Sequence, residues 1–388
     1  MNRLGLFLIL SVFLIFTTSL LATDAIAADV ADDIATIRSA ATAHGVSDDA
    51  QRAWRRLATL DANKLPTLLA SMKGADPLAT NWLRTAIDAV AEHQLQAGGE
   101  LPIAALEKFV NDTNQAPRAR RTAFEWLTQV DPAAKPRLLA AMLDDPSMSL
   151  RYDAVQHLLK NAQLTQTADS QREKYLMAWE HARNLQQLET IAEELKKLDQ
   201  EVDLVTVLGF VMNWQIIGPF DNTGLAHFDT AYPPESEQSL ARQYGGKRGE
   251  ISWQPATAGN KEGFVDFIAT LGKEKEAVAY AFAKFMAEAG EAEIRYQSKN
   301  ATKVWLNGQL VASNEVYHSG GDFDQYRVPV TLQPGENTVL VKSCQNEQRM
   351  PWEQEWHVRL RVVDGVGTPV ATQPSAATDA PPASPLRR

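Results

Sequence analysis

Three textures of hydrophobic and polar positions follow one another along the chain. From Leu4 to Leu21 the sequence is apolar apart from Gly5, Ser11 and the stretch Thr17–Ser19. Residues 28–207 then repeat apolar positions at i, i+3, i+4 and i+7, the spacing of one buried helix face. Pro66, Pro102 and Pro136 punctuate this region at spacings of 36 and 34 residues. Each proline suits a first helical turn, where its missing N–H is no loss. The stripes behind them are Leu65, Leu68, Leu69 and Met72, then a looser Ile103, Leu106, Phe109 and Val110, then Leu138, Leu139, Met142 and Leu143. A second helix is predicted after each, with Leu83, Ile87 and Val90, then Ala123, Leu127 and Val130, then Leu150, Ala154 and Leu158 inward. Asp76-Pro77 and Asp145-Pro146 break the chain between partners. Residues 170–199 add one or two helices with Leu188, Ile191, Leu195 and Leu198 on one face.

After Val211 the period falls to two, the repeat of a half-buried strand. Strands are predicted at 214–217, 264–268, 278–285, 292–298, 302–306, 309–312, 325–331, 338–344 and 356–363. Asn307-Gly308, between Lys303–Leu306 and Gln309–Val311, is the strongest hairpin signal, because a tight type I′ turn needs positive φ at both of its central residues. The expected fold class is therefore α then β. An N-terminal α-solenoid of helical repeats at 28–207 precedes an antiparallel β-sandwich at 208–365. Pro369, Pro374, Pro381, Pro382 and Pro385 lie among Ala, Ser and Thr at 366–388, a composition expected to form a disordered tail.

The helix pairs resemble HEAT-type repeats, carried by Leu83-Arg84, Leu150-Arg151 and the segment Asp144–Val155. Pairs of this kind bury their faces only by stacking. In the second half, Lys303–Val311, Tyr326–Leu332 and Pro334–Lys342 resemble the galactose-binding-like jelly roll, in the version found as the sugar-binding domain of family 2 glycoside hydrolases. Trp214–Asp221 and Asp229–Glu235 resemble the opening of this domain in exported bacterial proteins that place it after HEAT-like repeats. The resemblance covers about residues 212–365 and implies a fold more than a function, since the matching residues are mostly turn and core positions.

Composition narrows the function. The basic Arg3 before the apolar run, with Ala25-Ile26-Ala27 after it, reads as a signal peptide at 1–27 cleaved after Ala27, hence an exported, periplasmic or extracellular protein. If retained, the same segment would be a membrane anchor. A net charge of −10 lacks the basic footprint of a nucleic-acid binder, and Arg118, Arg120 and Arg121 read as a solvated helix face. One cysteine, Cys344, allows no intrachain disulfide and reads as a buried, inert thiol.

No nucleophile elbow, zinc-protease His pair, phosphate loop or dinucleotide fingerprint is present, so no catalytic residue is nominated and the chain is expected not to be an enzyme. Glu353 and Glu355 offer the two carboxylates of a glycosidase pair, but acids alternating at a strand start are expected to face solvent. The helical first half leaves no room for the barrel of upwards of about 200 residues on which such enzymes place catalysis. Sugar rings are held by aromatic faces beside directed polar groups, which nominates Tyr317, His318, Trp352, Trp356 and Trp305. The plainer reading packs Trp305 and Trp356 into the core. Asp322 and Asp324 are weak candidates for a structural calcium ion, which wants six to eight oxygens; otherwise no cofactor is expected. The expectation is a non-catalytic scaffold. Its helical repeats would contact proteins, and its sandwich would bind a glycan or envelope polymer. The alternatives are an assembly protein with no sugar affinity and, last, an uncharacterised hydrolase.

Overall fold

The computed structural model describes residues 29–39, 47–259, 262–318 and 320–373, with the side chains of Pro351 and Trp352 left out. The expected signal segment, its cleavage site at Ala27 and the tail from 374 onward lie outside the described residues. No helix among the described residues is long and apolar enough to cross a membrane. The chain divides into two compact units, one ending at Leu164 and one beginning at Thr165.

The first unit is helical: α1 (29–39), α2 (Asp48–Leu57), α3 (Leu65–Ala70), α4 (Pro77–Gln96), α5 (Ile103–Asn111), α6 (Pro117–Val130), α7 (Ala134–Ala140) and α8 (Met148–Gln163). Pro66 sits in the first turn of α3, and the Asp76 side chain caps α4 by accepting from the amides of Leu78 and Ala79. Leu65, Leu68, Leu69 and Met72 are buried together with Leu83, Ile87 and Val90, in one core with Leu106, Leu127, Leu138 and Leu150. Ile103 departs from the pattern and is exposed. Leu159 takes the buried place expected of Leu158.

Arg120 corrects the expectation of a solvated basic face. It is 1% exposed, between Ala119 and Ala123 on the inward side of α6. Its guanidinium binds both oxygens of Asp145 at 2.7 and 2.6 Å and donates to the Val110 carbonyl at 2.7 Å. A buried charge persists only when paired in this way.

The second unit opens with α9 (Ala168–His181), α10 (Leu185–Lys197) and α11 (Leu204–Leu208). The strands follow: β1 (Asn213–Asp221), β2 (Gln243–Gly246), β3 (Gly249–Ser252), β4 (Gln254–Thr257), β5 (Val265–Asp266), then α12 (Phe267–Leu271), β6 (Ala277–Ala287), β7 (Gly290–Gln297), β8 (Ala301–Leu306), β9 (Gln309–Asn314), β10 (Tyr326–Leu332), β11 (Gly335–Cys344) and β12 (His357–Val363). Two antiparallel sheets, ordered β4-β1-β6-β11-β8-β9 and β10-β7-β12-β5, enclose a shared core in a sandwich-like arrangement. The strand expected at 264–268 is cut short because the Asp266 side chain caps α12, accepting from the Ile268 amide at 2.8 Å.

The central strands of the six-stranded sheet, β1, β6, β8 and β11, are buried on both faces. Along β6 the small residues Ala277, Ala279, Ala281 and Ala283 face the other sheet, while Val278, Tyr280 and Phe282 face a second cluster. Segment 222–257, which carries the β2–β3 hairpin, covers that outer side with Phe228, Tyr232, Tyr244 and Trp253. Two lysines of the sheet tie it down. Lys342, fully buried, donates to the Thr230 carbonyl at 2.7 Å and meets Glu235 at 3.1 Å. Lys303 pairs with Asp229 at 2.6 Å. Cys344 is buried under the same cover, and burial pushes its thiol up to about 12.

Residues 366–373 are not part of a tail. Thr372 bridges Met286, Pro369 bridges Val363, and Val370 and Ala371 pack on the core. The Gln373 side chain accepts from the amides of Met212 and Asn213 at 2.7 and 2.9 Å. Proline content alone missed this because the short apolar pair is what docks.

Candidate functional site

Antiparallel order brings the ends of β7, β9 and β11 and the starts of β8, β10 and β12 to one end of the sandwich. Three connections meet there: 298–300, 315–325 and 345–356. Between them lies a cavity of about 240 Å³ lined by Lys299, Asn300, His318, Gly320, Gly321, Glu353 and Glu355. Three non-glycine residues of these connections hold positive φ: His318 at 57°, Asp324 at 53° and Gln348 at 50°. Such conformations persist only where the surroundings over-determine them.

Beneath the cavity is a network of buried amides. Asn300 Nδ2 donates to Gln345 Oε1 at 2.6 Å, and the Asn346 amide donates to the same oxygen at 3.1 Å. Asn222 Nδ2 donates to the Gln345 carbonyl at 3.1 Å and to the Tyr317 hydroxyl at 3.2 Å. Asn346 also hydrogen-bonds His318. Asn300 is 4% exposed, yet its Oδ1 has no partner among the described residues. A buried acceptor left unpaired is expensive and calls for an explanation.

The charged walls are paired. Lys299 Nζ lies 2.6 Å from Glu355, and His357 Nε2 lies 3.7 Å from the same carboxylate. His318 Nε2 lies 3.6 Å from Glu353. The Met350 amide donates to Glu353 at 3.1 Å and, with His318 nearby, holds its carboxyl below the usual range. Burial pushes the His357 imidazole below its ordinary value, although Glu355 and Asp266 oppose this. Glu353 is thus enclosed rather than solvent-facing, its side chain 10% exposed against 47% for Glu355.

Of the nominated residues whose side chains are described, His318 alone lines the cavity. Tyr317 packs toward the outer cluster, where burial pushes its hydroxyl up to about 12. Trp305 is buried in that cluster. Trp356 is fully buried, its Nε1 donating to Ser343 Oγ at 3.1 Å and its ring centred 5.2 Å from Phe267. The Trp352 side chain lies outside the described residues. Asp322 is exposed. Asp324 is taken up by arginines: Arg361 binds both its oxygens at 2.9 and 2.5 Å, and Arg295 approaches at 3.2 Å. Its charge is already neutralised by groups that no calcium ion would share. No cluster of His, Cys, Asp or Glu suited to a metal occurs among the described residues. Lys299 and Asn300 escaped sequence reasoning, because a polar Ser-Lys-Asn step between two strands looks like any turn.

The helical unit carries a second, more open groove of about 460 Å³ between α4 and α6. Its wall is a charge ladder. Arg84 meets Asp88 at 2.9 Å and Glu125 at 2.8 Å, while Arg121 meets Glu125 at 2.7 Å and Asp153 at 2.5 Å. Trp126 Nε1 donates to Asp88 at 2.8 Å. Glu92, Leu95, Gln96 and Gln129 complete the lining.

No protein-family model matches the chain, and no curated protein matches it. Among solved structures, a GH31 alpha-xylosidase from Xanthomonas citri is similar over 30% of this chain and 15% of its own, at 14% identity and a TM-score of 0.19. The chain spans only that small part of the enzyme's length, and a likeness of this degree carries no argument about fold or activity.

Proposed function

We propose that this chain is a non-catalytic, exported binding protein whose sandwich holds a sugar-sized polar ligand in the cavity between Asn300, His318 and Glu353. The observation that carries this reading is the buried, unpartnered Asn300 Oδ1 on the cavity wall. A ligand hydroxyl would satisfy it, as directed polar groups do in small-molecule sites. The cavity holds the volume of about eight waters at ~30 Å³ each, enough for one monosaccharide. Its place among the loops at one end of the sandwich suits the galactose-binding-like jelly roll to which the strand motifs point. The stacked helix pairs suit a HEAT-like solenoid, with the α4–α6 groove as its protein-contact surface. Export rests on the sequence of residues 1–27 alone.

A glycan array probed with the full chain lacking residues 1–27 tests the reading, with Asn300→Leu as the control. Binding that is lost in the variant is expected; an intact protein that binds no glycan would sink the proposal. The burial of Trp305 and Trp356 favours the second reading, an assembly protein of the envelope without sugar affinity, since it removes two of the aromatic faces on which a ring would stack. A hydrolase is supported least. Glu353 and Glu355 share the cavity, but each is already engaged, by the Met350 amide and by Lys299 respectively.

A further inference from the structure

Charge around the cavity is lopsided. Lys299 Nζ is held by Glu355, Asn300 Nδ2 donates to Gln345, and His318 Nε2 accepts from Asn346 Nδ2 beside Glu353. Acceptor capacity faces the cavity as well. Asn300 Oδ1 is unpartnered, and each carboxylate oxygen takes more than one hydrogen bond. Lys299 sets one positive charge against the two carboxylates of Glu353 and Glu355, so the lining is net negative whenever His318 is uncharged. His357, facing Glu355 from β12, sits in a buried setting that favours its neutral form and so does not offset that carboxylate.

A net-negative enclosure with an unpartnered acceptor on its wall complements a group with donors only and a positive charge. A primary ammonium has three donors and no acceptor, and hydrogen bonds from it to carboxylates are about twice as strong as neutral ones. A carboxylate-bearing sugar would meet repulsion from the same two residues, and a neutral hydroxyl would leave the excess negative charge unanswered.

Resting on the sugar-binding reading above, we infer that the cavity recognises an amino sugar, with the ammonium group set among Asn300, Glu353 and Glu355, in preference to neutral hexoses and uronic acids. Titration calorimetry of the full chain with glucosamine, N-acetylglucosamine, glucose and glucuronate tests this directly. Glucosamine is expected to bind at least about tenfold more tightly than N-acetylglucosamine, which has the same ring without the charge. Glucuronate is expected to bind weakest. Glu355→Gln changes a half-exposed side chain and removes one carboxylate from the lining, and it should shrink the ratio of glucosamine to glucose affinity. Glu353→Gln should act in the same direction. Equal affinity for glucosamine and N-acetylglucosamine, or a preference untouched by Glu355→Gln, overturns the ammonium assignment and leaves sugar binding standing. Binding of none of the four probes, or of other glycans, by a folded protein overturns both.

Discussion

Asp324 is from sequence no more than a weak calcium candidate, and its neighbours make it the clasp of a loop. Arg361 is 1% exposed and Arg295 5% exposed, and both direct their guanidinium groups at this one carboxylate. Arg361 also lies 4.8 Å from the ring of Phe323. The loop they hold is the one that carries His318, Gly320 and Gly321 to the cavity. Removing the carboxylate would strand the buried Arg361 and leave Arg295 with Glu293 alone, so Asp324→Ala is expected to destabilise the second unit by roughly 3–5 kcal/mol, read as a lowered denaturation midpoint in urea. Acid should act on the same clasp. Burial resists ionisation of Asp324, but Arg361 and Arg295 outweigh it and hold its carboxyl below the ordinary 3.8. The stability it contributes is therefore complete above that unfolded value and is lost as pH falls through the lower folded one. Asp324→Asn should flatten this limb of the curve. His357 works in a separate window. Burial lowers its folded pKa below 6.5, so stability is full above 6.5 and declines as pH drops toward the folded value, levelling off beneath it. His357→Gln should remove the decline between about pH 6.5 and the carboxylate range. An unchanged profile would show that the imidazole titrates alike in both states.

At the scale of elements, the hairpin β8–β9 shows what was legible and why. Asn307 and Gly308 take φ of 51° and 81°, as a type I′ turn requires. That choice is local, and so it could be read from two residues. The second job of Asn307 is not local. Its Nδ2 donates to Asn337 Oδ1 at 2.8 Å, and its Oδ1 accepts from the Thr338 amide at 2.8 Å, tying the turn to the start of β11. Two substitutions separate these roles. Asn307→Gly keeps the turn and loses the ties, for an expected cost of about 1 kcal/mol. Asn307→Ala loses both and should cost roughly 1–2 kcal/mol more, the penalty of a left-handed conformation on an ordinary residue. Equal losses in urea titrations would mean that the ties alone matter. The same division explains the rest of the unit. Strands with period two or apolar runs are legible; β2, β3 and β4 are not, because Gln243–Thr257 is mostly exposed and patterned by its packing on Tyr280 and Phe282 rather than by its own sequence. The cavity was half legible for a similar reason. The loops around His318 and Glu353 stand out by composition, whereas Asn300 is held in place by Gln345, which lies 45 positions away.

For the whole molecule, the change of period at Val211 marks where helix gives way to strand, yet the compact units part 46 residues earlier, between Leu164 and Thr165. Periodicity reports the local backbone, and the boundary of a unit is set by what packs on what. Contacts around the four-stranded sheet show why the late helices belong with it. Arg361 Nη1 donates to the Leu208 carbonyl at 3.3 Å, the Val211 amide to Leu360 at 2.9 Å, and Arg183 Nε to Thr368 Oγ1 at 3.2 Å. Phe210 bridges Arg361 through the backbone and lies 5.6 Å from the Arg359 guanidinium. Without α9 and α10, the Thr368 contact disappears and α11 loses the helix it packs on. Two fragments put this to the test. Residues 165–388 are expected to unfold in one cooperative transition. Residues 200–388, which keep α11 and every strand, are expected to melt several degrees lower, since about 1 kcal/mol shifts the midpoint of a domain this size by ~2–4 °C. Equal melting temperatures would mean that the helices only adjoin the sheet, and the unit would then begin where the period changes.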